Sequence, residues 1–97
     1  MSKLTIVANF IVKTDKIEQI KAEFLTLVKT TRAEDEGCIS YDLFQDNTDL
    51  SKFTVIETWE SDALLQKHAD STHFKSFMKT TESMVESFTI NSLTQIA

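Results

Sequence analysis

Alternation between apolar and polar side chains predicts four β-strands in this chain. These segments are rich in β-branched and aromatic residues and are bounded by turn-forming ones. They lie at residues 4–12, 38–45, 53–60 and 88–96. Apolar residues three or four positions apart predict the helices. The helices are a long one from Asp15 to about Glu34, a short one over residues 62–69 and a third that begins after Ser71 or Thr72.

Capping signals mark several helix ends. Asp15 with Glu18 three residues later resembles a capping box, and Ser61 is placed to cap the short helix. Gly37 follows the first helix, where a left-handed residue is favoured. The chain has no Pro and one Gly in 97 residues, so we predict one domain, 1–97, without linkers.

The predicted element order is β-α-β-β-α-β. This order is that of an α+β, ferredoxin-like fold with an antiparallel four-stranded sheet. Applied to the first and third strands, the handedness rule for βαβ units makes them parallel neighbours. We therefore expect Asn9 and Trp59 to lie side by side near the same end of the sheet.

The helices can cover only one face of this sheet. The other face still carries apolar residues, among them Val7, Ile11 and Ile56. Contiguous exposed apolar surface usually marks an interface. We therefore expect a homodimer in which two sheets pack face to face.

Composition narrows the classes of partner. The net charge is −5, from 15 acidic and 10 basic residues, which disfavours nucleic-acid binding because phosphate neutralisation supplies most of that affinity. No apolar run approaches the length of a membrane span, and no secretory leader is recognisable at the N-terminus. The single cysteine, Cys38, cannot form an internal disulfide. We therefore expect a cytoplasmic protein that binds neither nucleic acid nor membrane.

Short motifs at residues 36–43, 57–61, 63–68 and 73–74 resemble the antibiotic biosynthesis monooxygenase family, in particular its small bacterial quinol monooxygenases. The resemblance covers nearly the whole chain. It implies a ferredoxin-like protomer, a dimeric α/β barrel and a pocket between sheet and helices. It also implies oxidation of a small phenolic or quinol-like aromatic without metal or flavin, so no cofactor is expected.

A neighbouring group, the haem-degrading monooxygenases, uses an Asn, a Trp and a haem-ligating His. Asn9 and Trp59 match the first two by position, but the place of the axial His falls near Met78. This departure argues against haem degradation.

Two residues are our candidates for catalysis. A metal-free oxygenase needs a base that takes a phenolic proton and groups that stabilise the developing negative charge. His68 is the first choice for the base, since imidazole titrates near neutral pH and its position four residues after Leu64 places it inward. The alternative is a structural His bonded to a carbonyl. Asn9, in a strand where Asn is depleted, faces either a ligand or local backbone.

Four further residues are candidates for binding the substrate. Trp59 offers a flat face or belongs to the core, and Tyr41 donates its hydroxyl or packs with its tip wet. Glu57, within a strand, is a second base or an ion-pair or hydrogen-bond partner across the dimer. His73 starts a helix and either binds the substrate or is a surface or capping residue. The five-residue spacing of His68 and His73 makes a metal site from them a weak hypothesis.

Three functions remain open. The leading hypothesis is a cofactor-independent monooxygenase that forms a quinone. The second is an isomerase or lyase-like enzyme on a small oxygenated metabolite, which would use the same base without dioxygen. The third is a non-catalytic, small-molecule-binding dimer whose histidines are structural.

Overall fold

The computed structural model describes residues 3–97 of the chain. Its elements are β1 Leu4–Val12, a 3-10 turn Thr14–Lys16, α1 Ile17–Glu34, β2 Cys38–Gln45, β3 Lys52–Trp59, α2 Asp62–Ala69, α3 Thr72–Thr81 and β4 Val85–Leu93. A four-stranded sheet with helices on one face confirms the predicted α+β, ferredoxin-like fold. No helix within residues 3–97 is long and apolar enough to cross a membrane.

The strands lie in the order β2-β3-β1-β4, and every neighbouring pair is antiparallel. The prediction of parallel β1 and β3 is wrong. The hairpin between β2 and β3 reverses the chain, so the strand parallel to β1 is β2, and β3 lies between them. In the resulting register Trp59 pairs with Leu4, whereas Asn9 pairs with Thr54. The two residues expected side by side are five pairs apart.

A phenylalanine cluster holds the helices on the sheet. Phe24 of α1 is fully buried. Its ring centroid lies 5.1 Å from that of Phe10, 5.3 Å from that of Phe53 and 5.0 Å from that of Phe77. Burying one such ring stabilises the fold by roughly 1.5–3 kcal/mol. The cluster therefore anchors α1 and α3 on the central strands.

Serine caps set the starts of the two short helices. The Ser61 hydroxyl accepts a hydrogen bond from the Leu64 amide at 3.3 Å, and that of Ser71 accepts one from the Phe74 amide at 3.2 Å. These contacts confirm the predicted starts of α2 and α3. The predicted capping box at Asp15 does not form, because the chain first makes a 3-10 turn and no side chain caps α1.

Gly37 lies in the connection between α1 and β2. Its φ of 82° is in the left-handed region, where glycine is favoured. It follows the helix end by three residues, so it shapes the turn into β2 rather than the helix end itself. A Cβ atom on Gly37 would lie 2.4 Å from Cδ1 of Leu64, which means that α2 approaches this connection very closely.

The last strand begins and ends three residues earlier than predicted. Its pairing with β1 ends at Thr5 and Leu93, close to the start of β1, so the apolar alternation that continues to Ile96 has no partner strand. Phe88 and Ile90 lie on the side of the sheet that carries the helices, yet they are 47% and 55% exposed. The helices thus leave the β4 edge uncovered.

The face of the sheet without helices, here called the open face, combines polar and apolar side chains. Asn9 and Thr54 lie on it and are hydrogen-bonded to each other. Exposed apolar side chains share this face: Ile11, Phe44, Ile56 and Leu93.

Candidate active site

A cavity of about 310 Å³ lies between the helix-covered face of the sheet and the helices. Its walls come from all four strands and all three α-helices, and most of the lining side chains are apolar. The polar ones are Tyr41, Glu57, Gln66 and His68. An apolar cleft of this size with a few polar groups is typical of a small-molecule site.

The cavity has a polar end and an apolar mouth. Tyr41 and Glu57 stand opposite each other on β2 and β3, at one side of the sheet. Phe88 and Ile90 line the cavity from β4, at the other side, where they are half exposed. A ligand that enters at β4 would therefore meet its polar partners at the far end.

His68 is the buried titratable residue of α2. Its ring centroid lies 4.8 Å from that of Trp59, 4.9 Å from that of Phe74 and 5.5 Å from that of Tyr41. Aromatic rings thus enclose the imidazole and hold its orientation.

Asp35 orients this imidazole. Its Oδ2 lies 2.5 Å from Nδ1 of His68 and 2.9 Å from Nε2 of His73. An ionised carboxylate only accepts hydrogen bonds, so this geometry assigns one N–H to each of the two ring nitrogens. Nε2 of His68 then carries the lone pair. It is buried without a hydrogen-bond partner in residues 3–97.

The environment keeps His68 in its neutral form. Burial lowers the pKa of His68, and nearby His73 also lowers it, whereas the hydrogen bond and negative charge of Asp35 act in the opposite direction. The net shift of the pKa is downward. A neutral, oriented imidazole with a free nitrogen is what a general base requires.

Glu57 is buried in the same cavity. The indole Nε1–H of Trp59 donates a hydrogen bond to its Oε1 at 2.7 Å. Burial raises the pKa of Glu57 to about 7, although the hydrogen bond from Trp59 opposes this shift. At neutral pH a large share of this side chain is therefore the uncharged carboxylic acid.

Tyr41 is buried at the polar end of the cavity. Burial, followed by the negative charge of Glu57, raises its pKa above the ordinary value of a tyrosine. Its hydroxyl therefore stays protonated and can donate a hydrogen bond to a ligand oxygen.

Comparison with known proteins identifies the family. The sequence profile of the family described as Antibiotic biosynthesis monooxygenase matches residues 3–80. The chain belongs to the antibiotic biosynthesis monooxygenase family. This assignment confirms the resemblance on which the sequence-based expectations rested.

The chain is also similar to individual proteins from three bacteria. A Bacillus subtilis protein named "Putative monooxygenase YcnE" is 36% identical over 69% of this chain and 70% of its own length. An uncharacterized Synechocystis protein is 33% identical over 78% of this chain, but the match spans only 51% of that protein. The crystal structure of PA3566 from Pseudomonas aeruginosa superposes with a TM-score of 0.94 at 33% identity, over 100% of this chain and 97% of that one.

Not every predicted site residue of this family member reaches the cavity. His68, Glu57 and Tyr41 line it together. Asn9 lies on the open face, where its Oδ1 accepts a hydrogen bond from Thr54 at 2.7 Å, so its expected place beside Trp59 is wrong. The antiparallel register causes this difference.

Trp59 and His73 act behind the cavity wall. The Trp59 ring is fully buried and is not part of the lining, so it does not offer the flat face expected for a substrate. It supports Glu57 and His68 instead. His73 contacts Asp35 rather than the cavity.

Sequence reasoning missed Asp35. It follows α1 within the run Glu34-Asp35-Glu36, and its side chain is 10% exposed. Negative charges at a helix C-terminus oppose the helix dipole. The unfavourable position of Asp35 could have indicated its role, because an acidic residue at a helix C-terminus often has a specific partner elsewhere in the fold.

Asp35, His68 and His73 also hold potential metal-binding atoms within 4.8 Å of one another. The five-residue spacing therefore does not keep the two histidines apart. Ligands of one tetrahedral zinc ion, each about 2.0–2.1 Å from it, lie roughly 3.3 Å from each other. The observed separations of 2.5 Å and 2.9 Å are shorter, so the cluster as it stands is a hydrogen-bonded one.

Proposed function

We propose that this protein is a cofactor-independent monooxygenase that oxidises a quinol or polyphenol-like aromatic to a quinone with dioxygen. The observation that carries the proposal is the buried Asp35–His68 pair in the wall of an apolar cavity. Membership of the antibiotic biosynthesis monooxygenase family and the similarity to the Bacillus subtilis protein named "Putative monooxygenase YcnE" support it.

The first step is removal of a phenolic proton. A substrate hydroxyl at the polar end would supply the partner that Nε2 of His68 lacks. The proton moves to Nε2, and the imidazolium that forms is stabilised by the hydrogen bond from Nδ1 to Asp35. A hydrogen bond to a charged group contributes roughly 1.5–3 kcal/mol. The electron-rich phenolate can then reduce dioxygen directly.

The apolar walls have two roles in this scheme. They hold an aromatic ring by burial of apolar surface, and they keep water away from the reacting anion. The Tyr41 hydroxyl would stabilise negative charge on the substrate oxygen by donating a hydrogen bond. Overall, one atom of dioxygen enters the ring and the other leaves as water, with both protons of that water coming from the phenol.

Oxygen consumption tests the reaction. We expect the purified protein, with a chelator present, to consume dioxygen with a panel of quinols and naphthols and to transfer one atom of isotopically labelled dioxygen into the quinone. Aliphatic alcohols of similar size serve as the control. Absence of uptake with every aromatic in the panel would contradict the proposal.

A second function is favoured by the pairing of His68 with Glu57 in one cavity. A base and an acid there can move a proton between two carbons of a small oxygenated metabolite without dioxygen, as an isomerase or lyase does. Turnover that persists under strict anaerobiosis would favour this second function over the first.

We also propose that two copies pair through their open faces. Support comes from the exposed apolar side chains of that face, among them Phe44 and Ile56. Sedimentation at micromolar concentration should give a dimer, and Ile56→Asp should shift it to monomer while the exposed control Lys29→Asp does not. A monomeric wild-type protein would refute this pairing. A reducing, cytoplasmic location remains our expectation, with Cys38 as a free thiol.

A further inference from the structure

We propose that Glu57 is the general acid of this site and donates its carboxyl proton to the dioxygen-derived oxygen bound to the substrate. This inference rests on the proposed monooxygenase function. It adds a catalytic residue of the opposite role to His68, in the same cavity. It also gives Trp59 a defined task, which is to hold the donor in place.

The position of Glu57 argues for a chemical role. It lies on a central strand between Ile6 of β1 and Tyr41 of β2, where a carboxylate is costly unless it is paired. Within residues 3–97 no cation contacts it, and the indole of Trp59 is its hydrogen-bond donor. That bond engages Oε1. Oε2 accepts no hydrogen bond within these residues, and Glu57 lines the cavity, so Oε2 is the oxygen that can meet a ligand.

The surroundings of Glu57 favour the protonated acid. The titratable groups nearest to it are Tyr41 and Cys38 from β2, while His68 from α2 lines the same cavity, and none of the three is a permanent cation. The remaining walls, from β1, β4 and α3, are apolar. Burial accordingly raises the pKa of Glu57 to about 7.

Glu57 and His68 therefore hold complementary protonation states. Burial stabilises the uncharged form of each side chain. The uncharged carboxyl group of Glu57 is a proton donor, whereas the uncharged imidazole of His68 is a proton acceptor. Trp59 contacts both, through its Nε1–H to Glu57 and through its ring, 4.8 Å from that of His68. Opposite shifts on two neighbouring groups are the usual sign of an acid and base pair.

The proposed step balances with dioxygen as the oxidant. After His68 has taken the phenolic proton, a bond forms between a ring carbon and dioxygen, and Glu57 protonates the terminal oxygen to give a hydroperoxide. The Glu57 carboxylate then takes the hydrogen of that carbon as a proton. The C–H electron pair becomes the carbonyl bond while the O–O bond breaks. The leaving hydroxide takes the proton from His68, so the phenol loses four electrons and dioxygen gains four.

The test is Glu57→Gln. Glutamine keeps the size of the side chain and an oxygen that can accept from Trp59, but it has no acidic proton. We expect kcat to fall by about a hundredfold or more with KM little changed, as for loss of a general acid. Dioxygen should instead take only two electrons from a quinol substrate, so that hydrogen peroxide is released together with a quinone that carries no added oxygen. The alkaline limb of the wild-type pH–rate profile, near pH 7, should disappear.

Two controls make the result decisive. Glu60→Gln changes an exposed glutamate just beyond the same strand and should leave the rate and pH profile as in wild type. Glu57→Asp keeps a carboxyl group and should restore part of the rate and of the alkaline limb. If Glu57→Gln does not fold, circular dichroism will show it, and the pH profile of Glu57→Asp then serves as the test.

Failure of the two proposals can be told apart. A wild-type protein that consumes no dioxygen refutes the monooxygenase. A wild-type protein that does consume it, while Glu57→Gln keeps the same rate and alkaline limb, refutes only the general acid. Infrared difference spectra give a readout independent of turnover. They should show a protonated carboxyl band that disappears as the pH rises through 7 and is absent from Glu57→Gln, and a spectrum without that band overturns the inference.

Discussion

The two faces of the sheet carry the same alternating pattern but hold their polar residues in opposite ways. On the open face, Asn9 and Thr54 share an exposed hydrogen bond, and neither group is titratable. On the covered face, Glu57 is buried with one donor, and its pKa is raised to about 7. The two faces therefore differ in two respects, because the covered face combines a titratable side chain with burial within one protomer, whereas the Asn9–Thr54 pair has neither.

Burying polar groups such as Glu57 and His68 destabilises the fold, and apolar packing elsewhere on the covered face offsets this loss. An unsatisfied buried polar group costs roughly 1–3 kcal/mol. The phenylalanine cluster around Phe24 lies under the same helices and offsets such a cost through burial of apolar surface. The buried polar groups of the covered face depend on this core, whereas the exposed polar groups of the open face do not.

The largest effect is expected for His68→Gln, on the covered face. An amide is not a base at neutral pH, so kcat should fall by about 10²–10⁴-fold. The control is Lys67→Ala. Lys67 lies next to His68 on α2, and its replacement removes only an exposed ion pair with Glu36, so kcat should stay unchanged. Oxygen uptake measures both. Equal rates for wild type and His68→Gln would remove His68 from the mechanism.

A smaller loss is expected for Asp35→Asn. The charge of Asp35 raises the pKa of His68 against the effect of burial, so its removal should lower that pKa further and weaken the base. Losing a hydrogen bond to a charged group, worth about 1.5–3 kcal/mol, corresponds to a drop of roughly ten- to a hundredfold. The acid limb of the pH–rate profile should move to lower pH. Asp42→Asn, which changes an exposed partner of Arg32, is the control.

Glu57 should also make stability depend on pH. Its pKa is 4.5 in the unfolded chain and about 7 in the folded one, so the carboxyl group stabilises the fold below pH 4.5 relative to higher pH. As the pH rises from 4.5 to about 7, the loss of this contribution should lower the free energy of unfolding by on the order of 3 kcal/mol. Urea unfolding of wild type and Glu57→Gln across this range measures it. Parallel stability curves for the two proteins would contradict the raised pKa.

The smallest effect is expected for Asn9→Ala, on the open face. It removes an exposed hydrogen bond, so the free energy of unfolding should fall by no more than about 1 kcal/mol, and kcat should stay unchanged. Urea unfolding and oxygen uptake check these values. A loss of activity as large as that of His68→Gln would mean that the two faces do not differ as described.

Local signals in the sequence predicted most of the fold. The bounds of β1, β2 and α2 agree with the predictions, because alternation and the Ser61 cap act over a few neighbouring residues. The end of β4 does not agree, since it is set by where β1 begins, a distant part of the chain. The alternating pattern of β4 alone therefore could not predict where its pairing with β1 ends.

The candidate site was predicted less well for the same reason. His68, Glu57 and Tyr41 were found because each lies at an inward position of its own element. Asp35 was missed, because its importance comes from contact with a residue 33 positions later. Asn9 was misplaced by the assumption that β1 and β3 are parallel, which reversed one strand relative to the other.

The single glycine of the chain makes room for the helix that carries His68. Gly37 is two residues after Asp35, and Leu64 is one helical turn before His68, so the two contacts run side by side between the same segments. A methyl group at position 37 would push Leu64 outward, and the helix would carry the imidazole with it. The orientation of the imidazole thus depends on the absence of a side chain at position 37, and a substitution there should disturb the Asp35–His68 contact in a folded protein.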